Sequence, residues 1–178
     1  GGDDAGGGGG AGDDDTAAID EEEIIPRTDI TNEINSELLD LLSSGNWKER
    51  KEGLGKVQEL FNRNPFIKGD YQELLTALIK LCGDSNKILG KDALLMVDTM
   101  TKAMSKNDAK NNFKIIFPGL SVAIGDSKPQ IRLAAVTGLN TLAEKVSFNV
   151  IAESDLITDA LKFESPILRS ELIGWLIE

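Results

Sequence analysis

The sequence predicts an all-α fold, a solenoid of stacked helix pairs, and three observations carry that prediction. Apolar residues recur at helical spacing from Ile30 onward. No stretch of apolar and polar alternation is long enough to make a strand. The breaks between helices also recur, with turns near Trp47, Asn86, Lys128 and Pro166 at intervals of 39, 42 and 38 residues. A helix-pair unit repeating at about forty residues is the period of HEAT and armadillo arrays.

Taken in order, residues 1–24 are Gly-rich and then Asp/Glu-rich, with too little apolar surface to offset ordering entropy. They read as a disordered linker, uninvolved in folding, ahead of a helical domain over residues 25–178. The helices group as 30–44 with 47–62, 71–82 with 86–105, 109–125 with 128–145, and 148–162 with 166–178. The clearest stripes are Leu89, Ala93, Met96, Met100 and Ala103, and Ile131, Ala135, Leu139, Leu142 and Val146. Asp70 precedes Glu73, and Ser127 precedes Gln130, at capping-box spacing. Asp108 can cap the helix that follows it. Ser165-Pro166 sets a cap before a first-turn proline. Pro118 falls inside a helical stretch and should kink it. About four HEAT-type repeats result, each burying a face on the next. The chain does not begin with Met and stops at Glu178 inside an amphipathic pattern, so it is expected to be a piece of a longer protein that continues past its C-terminus.

Composition narrows the function. Residues 1–29 carry ten acids and one base, and residues 30–178 carry 20 acids and 18 bases, so the net charge of −11 belongs mostly to the tail. A near-neutral folded part lacks the basic patch that nucleic acid requires. No apolar run approaches a membrane span, and no signal-peptide pattern opens the chain. A single cysteine, Cys82, cannot form an internal disulfide, and the expectation is a soluble intracellular protein. With no histidine, no Ser-His-Asp triad is available, and a zinc site, which would have to be built without histidine and with a single cysteine, is set aside. The Gly83-to-Gly90-Lys91 stretch has the wrong spacing for a phosphate loop and lacks a preceding strand. The chain reads as a binding protein without cofactor or metal, not an enzyme.

Cys82 ends an apolar helical run and reads as a small buried hydrophobe. Met96, Met100 and Met104 step by four and read as core filling. Trp175, with Leu172 and Leu176, lies on an apolar face that should pack against a following repeat. Left uncovered, that face should be sticky. Trp47 differs, because it occupies a turn between Ser43-Ser44-Gly45-Asn46 and Lys48-Glu49-Arg50-Lys51. It is either a hydrophobic anchor closing the first helix pair or an exposed binding anchor. Lys48, Lys51, Lys87, Lys128, Arg132 and Arg169 gather at or just after the four turns, on what becomes one edge of the solenoid. That row suits an acidic partner surface. Asp84 and Asp126, at the same turns, are expected to cap helices or to pair with Arg and Lys of adjacent repeats.

These residues resemble a known family. Ile25-Pro26-Arg27-Thr28-Asp29-Ile30 and Asn46-Trp47-Lys48-Glu49-Arg50-Lys51-Glu52-Gly53-Leu54 are similar to the opening of a TOG domain. Asp84-Ser85-Asn86-Lys87-Ile88-Leu89, Gly125-Asp126-Ser127-Lys128 with Arg132, and Ser165-Pro166-Ile167-Leu168-Arg169 through Leu176 resemble its later turns. The likeness runs in order over residues 25–178, and is strongest to the fourth TOG domain of the ch-TOG/Minispindles type of microtubule polymerase. The resemblance implies a paddle of six HEAT repeats, of which four are present here, so the end toward α-tubulin would be missing. It also implies a non-enzymatic αβ-tubulin site without cofactor, at microtubules, spindle poles and centrosome. On that likeness Trp47 would meet β-tubulin, with Lys48, Asn86, Lys87, Lys128 and Arg132 extending the contact and Arg169 lying farther along. The other reading is a HEAT scaffold for a non-tubulin protein.

Overall fold

The computed structural model describes residues 21–162 and 165–178. The disorder expected of residues 1–20 lies outside the described residues. From Ser36 the chain is helical in pairs: α1 (Ser36–Ser43) with α2 (Trp47–Arg63), α3 (Gln72–Cys82) with α4 (Lys87–Ala103), and α5 (Lys106–Ala123) with α6 (Pro129–Val146). The fourth pair sets α7 (Phe148–Ala152) and α8 (Asp155–Leu161) against α9 (Pro166–Leu176). First members stack as one layer, α1 on α3 on α5 on α8, and second members stack as another, α2 on α4 on α6. The four expected repeats are present, as a HEAT-like helical solenoid.

The core lies between the layers. Val57, Leu74, Leu75, Leu78, Leu94, Val97, Met100, Ile116, Phe117, Leu120, Leu139 and Leu142 are essentially inaccessible to water. Each such side chain contributes roughly 1.5–3 kcal/mol through removal from water. Met96, Met100 and Met104 are buried fillers of the stack, as their spacing suggested. Cys82 is buried as well, and burial pushes its thiol up to about 12, which leaves it unreactive.

Several local expectations are corrected. The first helix begins at Ser36 rather than 30, because Asn35 caps it by accepting the Leu38 N–H at 2.9 Å. Ile30, Ile34, Leu38 and Leu42 step by four, but the first two flank a 3-10 turn, Thr31–Glu33, ahead of the helix. Before that turn Thr28–Asp29 (β1) pairs in parallel with Ile67–Lys68 (β2), a two-residue ladder too short to leave an alternation signal. The Tyr71 hydroxyl fixes it, accepting the Ile30 N–H at 2.9 Å and donating to the Lys68 carbonyl at 2.8 Å. The expected helix over 148–162 is two helices, parted at Glu153–Ser154, where the Ser154 backbone is extended. Neither capping box closes. Asp70 accepts from the Gln72 N–H, and Asp126, not Ser127, accepts from the Lys128 N–H. Ser105, not Asp108, caps α5, by accepting the Asp108 N–H at 3.1 Å. Short oxygen-bearing side chains cluster at every break, and spacing alone does not select among them. α5 runs on through Pro118, whose ring removes the N–H that would bond the Lys114 carbonyl.

Two of the three apolar residues expected to await a later repeat are already buried, while Leu176 stays partly exposed. Trp175 is only 6% exposed and Leu172 is fully buried. The indole lies 5.5 Å from the Phe148 ring and 6.5 Å from that of Phe117, and its N–H donates to Asn140 Oδ1 at 2.8 Å. Its partners come from α5, α6 and α7, so the burial of this tryptophan does not require a later repeat.

Candidate binding edge at the helix-pair turns

The N-termini of α2, α4, α6 and α9 line one edge, and the same local chemistry builds each of its turns. Asn46 caps α2 by accepting the Lys48 N–H at 3.0 Å, and Asn86 caps α4 by accepting the Ile88 and Leu89 N–H groups at 3.1 and 3.4 Å. Ser165 caps α9 through the Leu168 N–H at 3.3 Å, with Pro166 in the first turn. Lys128 gives α6 no side-chain cap, and Pro129 follows it. Two residues before the first three of these positions, Ser44, Asp84 and Asp126 accept the N–H of Asn46, Asn86 and Lys128 at 3.0, 2.8 and 2.8 Å. The loops are thereby fixed by bonds between near neighbours in sequence.

Ion pairs then tie turn to turn. Arg50 donates Nε and Nη2 to Asp84 at 2.8 and 3.2 Å, and Nη1 to its own turn at the Ser44 carbonyl, 2.9 Å. Lys87 donates to Asp126. Arg132 bonds the Asp126 and Ser127 carbonyls at 2.8 and 3.2 Å and approaches Glu171 of α9 at 3.9 Å. Arg50, Lys87 and Arg132, each near the start of one repeat's second helix, thus reach an acid of the next repeat. Burial pushes the Asp126 carboxyl up, but the Lys87 hydrogen bond, the Lys128 amide and the charges of Lys87 and Arg132 outweigh it and hold the group below its ordinary value. Gly125 completes the join of the third and fourth turns: a Cβ there would lie 2.6 Å from Leu168 Cβ.

On this frame the seven sequence-selected residues divide. Trp47 is the first residue of α2 and is 47% exposed, with the Lys48 ammonium 5.9 Å from its ring. Lys48, Lys128 and Arg169 are exposed on the edge and form no ion pair among the described residues. Asn86 caps α4, while Lys87 and Arg132 hold repeats together. The expectation that Asp84 and Asp126 pair with adjacent repeats therefore holds. Two residues were missed: Ile88, 70% exposed, and Ile167, 42% exposed, each two positions after a cap. The available signal was this shared offset; a large apolar residue in a helix's first turn has no preceding turn to cover it. The edge therefore presents apolar groups at the first, second and fourth turns, with cations beside them. Among the described residues no His/Cys/Asp/Glu cluster could hold a metal, and no helix is long and apolar enough to cross a membrane.

No family model matches the sequence. Among characterised proteins, the chain is 36% identical over 156 residues to Protein mini spindles of Drosophila melanogaster, covering 88% of this chain and 8% of that protein. It is 25% identical over 154 residues to Centrosomal protein 224 of Dictyostelium discoideum, covering 85% of this chain and 8% of the other. Phosphoprotein p93 of Schizosaccharomyces pombe is 27% identical over 148 residues, covering 83% and 16% respectively. The chain therefore spans only a small part of the length of these relatives. Two solved structures share its fold. One, described as "Structural Basis of Microtubule Plus End Tracking by XMAP215, CLIP-170 and EB1", superposes with a TM-score of 0.72 at 24% identity, over 84% of this chain and 61% of that one. The other, described as "Structural Basis of Tubulin Recruitment and Assembly by Microtubule Polymerases with Tumor Overexpressed Gene (TOG) Domain Arrays", gives 0.74 at 20% identity, over 86% and 32%.

Proposed function

The chain is a TOG domain related to Protein mini spindles, and on that basis we propose that it binds αβ-tubulin along the turn edge, with Trp47 as the anchor. The observation that carries this reading is the half-exposed indole at the start of α2, beside Lys48 and on an edge whose loops are fixed in advance. A preorganised edge loses little conformational entropy on binding. A tryptophan that gives up solvent-exposed area against a partner is the commonest kind of hot spot. Ile88 and Ile167 add apolar contact at the second and fourth turns, and Lys48, Lys128 and Arg169 face the acidic partner. Lys87, Arg132 and Asn86 act mainly by holding the loops in register. The domain occupies residues 25–178 and is most like the fourth TOG domain of its family. It works at microtubule ends and spindle structures as one tubulin-holding module of a longer polymerase, with no catalysis of its own.

Size exclusion or sedimentation with purified αβ-tubulin tests this reading. Trp47→Ala should weaken the complex by roughly 2 kcal/mol or more, which is more than tenfold. A variant that remains folded and binds tubulin as well as the parent would remove the turn edge as the tubulin site and favour a scaffold for a different protein.

A further inference from the structure

On the edge opposite the turns, the lead-in ahead of α1 touches more of the stack than its place in the chain requires. Residues 21–24, expected to lie outside the folded domain, instead form a 3-10 turn, Glu21–Ile24. From there the chain runs along the ends of the second helices. The Thr28 N–H donates to the Phe66 carbonyl at 3.0 Å, just past the end of α2, and the Arg27 guanidinium lies 5.9 Å from the Phe66 ring. Arg27 Nη1 donates to the Ala103 carbonyl, at the end of α4, at 2.8 Å. Glu22 lies 3.0 Å from Lys145 Nζ, in the last turn of α6 and 123 residues further along. It also pairs with Arg27 at 3.3 Å, while Lys145 donates to the Met104 carbonyl, next to Ala103, at 2.8 Å. One segment therefore holds the ends of α2, α4 and α6 at once.

The chemistry makes these ties firm. The last carbonyls of a helix have no partner within it and carry the negative end of its dipole. At the end of α4 two cations meet them. The side chains of Arg27, Glu22 and Lys145 are only 10, 14 and 19% exposed, so salt screens these bonds less than it screens surface pairs. The other end of the lead-in is anchored in the core. Ile30 and Tyr71 are both buried, and the Tyr71 hydroxyl joins the Ile30 N–H to the Lys68 carbonyl.

In a repeat stack each unit contacts only its neighbours, and the curvature of the whole is the sum of small rotations at the joints. Here Arg50 with Asp84 and Lys87 with Asp126 tie the first three turns along one edge. Bending a stack pinned along one edge changes the spacing along the other. We propose that the lead-in from Glu22 to Ile30 is a clasp across that second edge, which fixes the curvature of the first three helix pairs and so the spacing of their turns. Arg27 is its central positioning residue, because it alone bonds α4, faces Phe66 and meets Glu22. The clasp acts in the free chain and does not depend on the tubulin assignment.

Turn spacing can be read directly in the full chain, without tubulin. Nitroxides on Gly45→Cys and Ser127→Cys, exposed residues of the first and third turns, report their separation by double electron–electron resonance. Cys82 stays unlabelled, because burial pushes its thiol up to about 12. The parent should give one narrow distance distribution. Arg27→Met, which keeps the stem and removes the charge, should widen it. The same change should speed amide exchange several-fold at Met104 and Ser147, which close α4 and α6, as well as at Thr28 in the lead-in. Lys145→Met, at the far end of the clasp, should reproduce both effects and serves if the Arg27 variant does not fold. A distribution as narrow as the parent's in a variant whose Thr28 amide exchanges quickly would overturn the proposal. So would faster exchange confined to the lead-in, or exchange at Thr28 unchanged in both variants.

Discussion

The two tryptophans occupy opposite circumstances within one architecture. Trp175 lies in the last turn of α9, where the preceding turns and side chains of three other helices surround it; it is 6% exposed and its indole N–H is bonded to Asn140. Trp47 opens α2, where no preceding turn exists, and nearly half its surface remains in water. Trp47 is flanked by polar and charged residues and Trp175 by Gly174 and Leu176, but the side chains are the same, so the indole itself does not separate them. Position along the helix does. A side chain in a helix leans toward the N-terminus, so one in the first turn projects past the end of the stack, and one in a later turn projects back onto it.

The contrast breaks most readily at Trp175. Trp175→Ala should cost about 3–5 kcal/mol, the usual range for an aromatic core truncation. Denaturant unfolding measures it, and a loss below about 1 kcal/mol would mean the face is not a closed core. Trp47→Ala, which should weaken tubulin binding strongly, should by contrast change unfolding by no more than about 0.5 kcal/mol, as exposed substitutions do. A clear loss of stability there would make Trp47 a structural residue and dissolve the comparison.

The ladder of ion pairs sharpens it. Arg50→Ala would leave the Asp84 carboxylate, only 7% exposed, without its cation, and should cost about 2 kcal/mol, less than a fully buried pair. Lys48→Ala, beside it on the exposed surface, should leave stability unchanged. Equal effects from the two would mean that the turns are not rigidly cross-linked. The smallest effect concerns Asp126. Its folded pKa is depressed, so its contribution is complete above the unfolded value of about 4 and is lost as pH falls through the folded value. Thermal unfolding between about pH 5 and pH 2 should therefore show a shallower acid loss in Asp126→Asn than in the parent. Identical slopes would show that Lys87 does not hold this carboxylate.

Most of the architecture was legible from residues alone. The stripes Leu89–Ala103 and Ile131–Val146, and turns some forty residues apart, determine helix pairs and their stacking, because a helix with one apolar face must bury it. The buried methionines and the buried Cys82 follow from the same periodicity, whereas the turn position of Trp47 left two readings open and the structure shows it half-exposed. What the sequence could not decide was partnership between residues distant along the chain. Lys87 and Arg132 read as a basic row facing outward until Asp126 and Glu171 were brought beside them. Trp175 read as uncovered until Phe148 and Asn140 closed over it. Glu22 read as part of an unstructured acidic run until Lys145, more than a hundred residues later, met it. Periodicity reports which face of a helix is apolar, since that depends on neighbours three and four residues away. Which charge meets which depends on how the pairs stack in space, and only the tertiary structure fixes that.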